Sequence, residues 1–216
     1  MNNTRKEGKS CIFEKEGKKL SRRKKLPVVL DQEEQESLIN VFNERYPTAY
    51  RNKTMVKLML AIGLRLSEAL NLQWDHINLM TGKLKVVDGK GAKDRMLWIN
   101  NETLEDLKRW KERQSEELNK REIENPPELV FTSLKGKRLN DANFRKMIYK
   151  YSDKAGVKKN ISPHTLRHSF ATDLYRETKN IRLVQKALGH EDLSTTMIYT
   201  HIVDDELEEA MKNFRS

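Results

Sequence analysis

A chain of 216 residues is long enough for one well-filled domain, or one domain with an appendage, and too short for two full ones. Its 42 Lys and Arg against 32 Asp and Glu give a formal net charge of +10, which points to a polyanionic partner, nucleic acid before membrane. With 37% hydrophobic residues, a mean hydropathy of -0.82 and no apolar run near the ~18 residues that a spanning helix needs, the sequence excludes an integral helical membrane protein.

Residues 1–26 hold 10 basic and 3 acidic side chains, leaving 32 of the 42 basic and 29 of the 32 acidic residues for everything that follows. This leading segment ends in SRRKKL and has few apolar residues and no sustained period, so residues 1–25 read as a basic flexible arm. Arg22, Arg23, Lys24 and Lys25 either touch DNA or belong to a solvated tail. The segment lacks the apolar stretch and cleavage site of a secretory signal. One cysteine, Cys11, forbids an intramolecular disulfide and a cysteine-based zinc site, and a reducing cytoplasm fits best.

From Leu26 the pattern is globular, and residues 26–216 read as one domain. Asp31 is the expected N-cap of a helix that places Leu38, Ile39 and Phe42 on one face. A second helix runs through TMVKLMLAI to Gly63, and a third starts at SEAL. Residues 84–87 and 95–99 read as two strands joined by a glycine-containing loop. A charged helix is expected from Glu102 to about Glu124, halted by Pro126 and Pro127, with Leu104, Leu107 and Trp110 buried. Residues 129–133 are a candidate further strand. Helices are expected at about 141–155, 163–178, 180–188 and 194–200, and from Asp204 onward. The fold class is α+β, mainly α, with a small antiparallel sheet.

Chemistry-bearing residues gather in the C-terminal third. Ser162 is a natural N-cap with Pro163 at the first helical position, so His164 and Arg167 share a face near a helix start, where free N–H groups favour an anion. Beyond Gly189 stand His190 and, nine residues later, Tyr199. Taken singly, each of these is more often a structural residue than a chemical one.

Together, the strings GLRLSEAL (63–70), GKGAKDR (89–95), HTLRH (164–168), LGH (188–190) and Tyr199 resemble the successive motifs of the tyrosine recombinase, or phage integrase, family. The resemblance runs from about Leu26 to the C-terminus and implies that family's catalytic-domain fold. It implies Tyr199 as nucleophile, Arg65 and Arg167 as phosphate-binding arginines, Lys90 as the hairpin-loop lysine, and His164 and His190 as the two histidines. Lys93 and Arg95 are expected to touch the DNA backbone. His168 shares a face with His164, but the resemblance makes it structural or supporting. Glu68 and Asp75 either orient Arg65, cap a turn or are simply solvated. The glycine-lysine string lacks the spacing of a P-loop.

The chemistry fits those roles. Attack of a phenol on a phosphodiester builds charge on two non-bridging oxygens, which guanidinium forks match. Lys90 would protonate the leaving 5′ oxygen. The 3′-phosphotyrosyl link would conserve the bond energy, so no cofactor, ATP or metal is expected. The resemblance therefore implies a site-specific recombinase for integration, excision or inversion, acting on double-stranded DNA as a homo-tetramer. The stripe Leu207, Met211 and Phe214 would dock on a neighbouring protomer or pack on its own domain. A silent DNA-binding regulator, or relaxation of the type IB topoisomerase kind, remains the alternative. Only some 25 residues precede the domain, as in a minimal invertase-like recombinase or a fragment of a larger integrase.

Overall fold

Helix α2, Pro47–Ile62, is buried on nearly every side: Tyr50, Met55, Val56, Leu58, Met59 and Ile62 all face protein. A helix buried on so many faces lies at the centre of its domain, and its buried polar residues Arg51, Asn52 and Thr54 are hydrogen-bonded. The protein wraps it accordingly, with α4 (Asn101–Asn119) on one flank, α6 (Pro163–Thr178) on another, and α1 (Gln32–Asn40) across it. The structure, a computed structural model, describes residues 27–87, 94–190, 192–200 and 211–212. The basic arm, with Arg22, Arg23, Lys24 and Lys25, the hairpin loop with Lys90 and Lys93, and most of the segment after Thr200 lie outside the described residues.

The order of the remaining elements is a short helix α3 (Leu66–Leu70), a 3-10 turn (Trp74–His76), strands β1 (Lys83–Val86) and β2 (Arg95–Trp98), α5 (Asp141–Lys154), α7 (Ile181–Leu188) and a 3-10 turn at Leu193–Thr195. The two strands form one antiparallel hairpin in which Lys83 pairs with Trp98 and Val86 with Arg95. Inward and outward residues alternate along both strands, as the period of two requires. The architecture is therefore mainly helical with a small antiparallel sheet, as the sequence pattern predicts.

Local signals are obeyed where they are strong. Asp31 accepts from the Glu34 N–H at 2.9 Å while Glu34 returns to the Asp31 N–H at 3.0 Å, a reciprocal cap. Ser162 caps α6 in the same way through Thr165, with Pro163 in the first turn. The entering chain is then fastened to α6, because the Leu30 N–H donates to Ser169 Oγ at 2.8 Å.

Three expectations differ from the structure. Residues 129–133 form no strand among the described residues, only isolated bridges at Leu129 and Thr132. Side chains of α4 take their carbonyls instead: Trp110 Nε1 donates to Val130 O at 2.7 Å and Gln114 Nε2 to Leu129 O at 3.1 Å. Helix α4 ends at Asn119, before the prolines, because Glu122 adopts φ +51 and brings the Ile123 N–H back to Leu118 O at 3.2 Å. The expected helix at 194–200 is a 3-10 turn followed by helical residues 198–200.

Gly63 ends α2 in the left-handed region, φ +66, and its N–H donates to Met59 O at 2.9 Å. A Cβ there would stand 2.2 Å from Phe170 Cδ1 on α6. Replacing Gly63 with Ala adds both backbone strain and an overlap with a packed ring, so Gly63→Ala should lower stability by about 2–5 kcal/mol in urea unfolding. An unchanged midpoint would contradict this packing.

Candidate active site

The stop of α2 at Gly63 throws the chain through buried Leu64 to Arg65, which adopts an extended backbone (φ -67, ψ 152) at the start of α3. Three residues on, Glu68 reaches back: its Oε2 accepts from the Arg65 N–H at 2.7 Å and its Oε1 from Arg65 Nη1 at 2.8 Å. The i, i+3 spacing therefore orients Arg65 locally, one of the roles open to Glu68 from sequence.

The same carboxylate is gripped from the sheet. Arg95 Nη1 and Nη2 lie 2.8 Å from Glu68 Oε1 and Oε2. Arg95 was expected on the DNA backbone; it is instead 9% exposed and fully engaged by Glu68 and by Ala187 O, to which its Nε donates at 2.9 Å. The correction follows from strand register. Arg95 is paired with inward-facing Val86 and shares its strand face with Leu97, so its side chain enters the interior.

Arg167 projects from α6 into this region and is 5% exposed. Its Nη1 donates to Gly63 O at 2.6 Å and its Nη2 to Leu188 O at 2.7 Å, with Nη1 also 3.9 Å from Glu68 Oε2. Burial, and then the nearby Arg65 charge, lower its pKa to about 10, so it stays cationic at neutral pH. Glu68 behaves oppositely. Burial alone would raise its pKa, but the Arg95 fork and the Arg65 N–H outweigh that and hold it at about 2.

His190 follows the left-handed cap Gly189 of α7, with Nδ1 3.0 Å from both Thr195 Oγ1 and Thr196 Oγ1. Thr195 donates its own hydrogen to Asp192 O at 2.7 Å, whereas Thr196 is wholly buried. Tyr199 is 1% exposed and its hydroxyl is 2.8 Å from His168 Nδ1. Burial raises the Tyr199 pKa to about 12 despite the attraction of Arg167. Burial, then His164 and Arg167, lower that of His168 to about 4; burial, then Arg167 and Arg65, do the same for His190. Arg65, Arg167, His190 and Tyr199 thus share one electrostatic neighbourhood, with His164 exposed at its edge beside His168.

The phage integrase family model matches residues 28–206. The chain belongs to the phage integrase family. Tyrosine recombinase XerD of Staphylococcus aureus is 37% identical over 191 residues, 88% of this chain and 63% of that protein, and XerD of Staphylococcus saprophyticus matches equally well. The chain therefore spans less than two thirds of the length of these relatives. Among solved structures, XerA recombinase superposes with a TM-score of 0.73 at 30% identity, covering 90% of this chain and 67% of that one. A post-cleavage complex of XerH with its palindromic difH substrate has a TM-score of 0.73 at 33% identity, over 89% and 54%. The catalytic domain of bacteriophage HP1 integrase shares the fold at 23% identity and a TM-score of 0.58, over 87% of this chain and 95% of that domain.

Within this integrase-family site, two groups go beyond what sequence reasoning assigned. The spacing of Glu68 from Arg65 hinted at a cap, but nothing local announced that Arg95 completes the carboxylate. The hydroxyls on His190 depend on how residues 190–196 turn, which no motif encodes.

Glu68 supplies a test. Its carboxylate is held at about pKa 2 against an ordinary 4.5, so its stabilisation is complete above about pH 4.5 and is lost as pH falls toward 2. Glu68→Gln should cost about 3–5 kcal/mol at pH 7 by leaving the Arg95 charge buried and half-paired, and the gap to wild type should narrow below pH 4.5. Urea unfolding at pH 7, 4 and 3 measures both; a gap that is constant across that range would refute the ion-pair account.

Proposed function

We propose that this chain cleaves and rejoins DNA strands by transesterification at Tyr199, as a site-specific recombinase. The observation that supports the reading is the convergence of Arg65 and Arg167 on Glu68, with Arg167 also acting electrostatically on the buried Tyr199 hydroxyl. In this reading the Tyr199 oxygen attacks the scissile phosphorus and passes its phenolic proton to His164, the P–O5′ bond breaks, and a 3′-phosphotyrosyl bond forms. Arg65 and Arg167 offset the charge on the non-bridging oxygens. His190 donates a hydrogen bond to the same phosphate. Lys90, in the hairpin loop, delivers the proton to the 5′ oxygen. Rejoining runs the same steps in reverse.

His168 has a larger part here than sequence suggested. As a neutral imidazole it can take the Tyr199 hydrogen at Nδ1. With the phenol near 12 and the imidazole near 4, full proton transfer in the resting site costs on the order of 10 kcal/mol. The contact therefore stores the nucleophile protonated. His164, exposed at the edge, is in this reading the group that accepts the phenolic proton as the phosphate arrives.

A nicked suicide duplex, bearing a site this protein selects from random sequence, should trap a covalent adduct. Tyr199→Phe should abolish the adduct. Arg65→Ala and Arg167→Ala should slow it by on the order of a hundredfold or more, by analogy with loss of one oxyanion donor. A near-wild-type rate in either arginine variant would refute their assignment.

Residues 26–216 then act as the catalytic domain and residues 1–25 as a basic arm on the DNA backbone, with Lys93 beside it. Four copies assemble on DNA through the segment after Asp204. Deleting residues 1–25 should weaken duplex binding and flatten its dependence on salt without abolishing the adduct. Ending the chain after His201 should leave binding but lose the tetrameric complex in sedimentation. A salt slope unchanged by the first deletion, or assembly unchanged by the second, would overturn the respective assignment.

A further inference from the structure

Arg95 occupies a position that a charged side chain rarely tolerates, the inward register of a two-stranded sheet. Burying a guanidinium is costly unless its donors are met. Here the fork closes on Glu68 through two 2.8 Å bonds, and Nε closes on Ala187 O at 2.9 Å. Three elements meet at that one side chain. The first is β2, which opens at Arg95. The second is α3, whose first residue follows Arg65. The third is the end of α7, from which His190 emerges.

The fit at α7 is close. A Cβ placed on Gly189, already at φ +64, would stand 3.1 Å from Arg95 Cδ and 3.3 Å from Nη1, so the arginine fills the space beside the cap. Glu68 in turn fixes Arg65 at both its backbone N–H and its Nη1. A displacement of Arg95 would therefore pass to Arg65 through the carboxylate and to His190 through the helix end.

We propose that Arg95 is a positioning residue that registers β2 against Arg65 and His190, without touching DNA. The proposal rests on the strand-cleaving reading of the same site, and it replaces the role in DNA-backbone contact that the sequence assigned to Arg95. Lysine keeps the charge but presents one nitrogen where the arginine presents three, so Arg95→Lys cannot hold both Glu68 oxygens and Ala187 O together. Misplacement by about 1 Å at a reacting centre costs up to on the order of a hundredfold in rate.

The test measures four quantities on the full chain: thermal midpoint, affinity for the selected duplex, rate of Tyr199 adduct formation, and histidine side-chain NMR resonances without DNA. Arg95→Lys is expected to bind the duplex within about twofold of wild type, form the adduct at least tenfold more slowly, and shift the His190 resonances, with Arg95→Gln slower still. Leu107→Val, a core change in α4, serves as a stability reference and should retain the wild-type rate. Adduct formation in Arg95→Lys within twofold of wild type would overturn the proposal. So would equal losses of binding and cleavage, which would mean that Arg95 contacts DNA. If Arg95→Gln does not fold, Arg95→Lys alone decides. If wild type forms no adduct, the strand-cleaving reading fails by itself. The positioning of His190 is then judged from the resonances: a shift in Arg95→Lys supports it and an unchanged spectrum refutes it.

Discussion

One buried carboxylate makes the cationic cluster possible. Arg65, Arg95 and Arg167 converge within a few ångströms of Glu68, and like charges at ~4 Å repel by roughly 4 kcal/mol even at an effective dielectric of 20. A carboxylate offers about four lone-pair directions. Glu68 uses them on the Arg65 N–H, Arg65 Nη1, and the two ends of the Arg95 fork. Three guanidinium charges against one carboxylate leave two positive charges, with Arg65 and Arg167 oriented rather than scattered. Without Glu68, burying Arg95 and Arg167 in one region would favour opening the structure.

The second source of order is the backbone. Two helices end here, α2 at Gly63 and α7 at Gly189, both in left-handed caps. Helix C-termini present carbonyls with no partner inside the helix and the negative end of the dipole. Arg167 takes Gly63 O and Leu188 O, and Arg95 takes Ala187 O. The arginines thus stabilise both helix ends while the ends fix the arginines. Glycine is needed at Gly63 for a further reason, since α6 brings Phe170 against it and, one turn earlier, Arg167 beside it.

What could be read in the sequence divides along the same line. Caps at Asp31 and Ser162, the hairpin at 83–98 and the ends at Gly63 and Gly189 are local events written in neighbouring residues, and they were legible. The motif residues Arg65, Arg167, His190 and Tyr199 were legible as a set, because their order and spacing survive without knowledge of contacts. The fate of residues 129–133 was not, because it turns on Trp110 and Gln114, about twenty residues away. Arg95 was misassigned for the same reason: in GKGAKDR it looks like one more surface cation, and only the pairing of β2 with β1 shows that it points inward. His168 gave no sign that it would meet Tyr199, because i and i+31 contacts leave no periodic trace.

The location of Tyr199 argues that reactivity is conditional. Its ring packs with Ala171, Val184 and Leu188 in a small apolar cluster separate from the main core. That burial raises the phenol to about 12, and the same burial keeps His168 neutral and a weak base. A phenol so placed is protected from water, yet it is also far from ionised. Bringing a phosphate to Arg65 and Arg167 would add negative charge, which by itself disfavours a phenolate. If Tyr199 is the nucleophile as proposed, activation would come from geometry, the hydroxyl leaving the apolar cluster for the arginines' field, where the anion is stabilised. The cluster holding Tyr199 is small and lies on the terminal α6–α7 edge rather than in the main core. Local opening there exposes far less apolar surface than opening the domain, so the energy needed to free the nucleophile is separable from the stability of the fold.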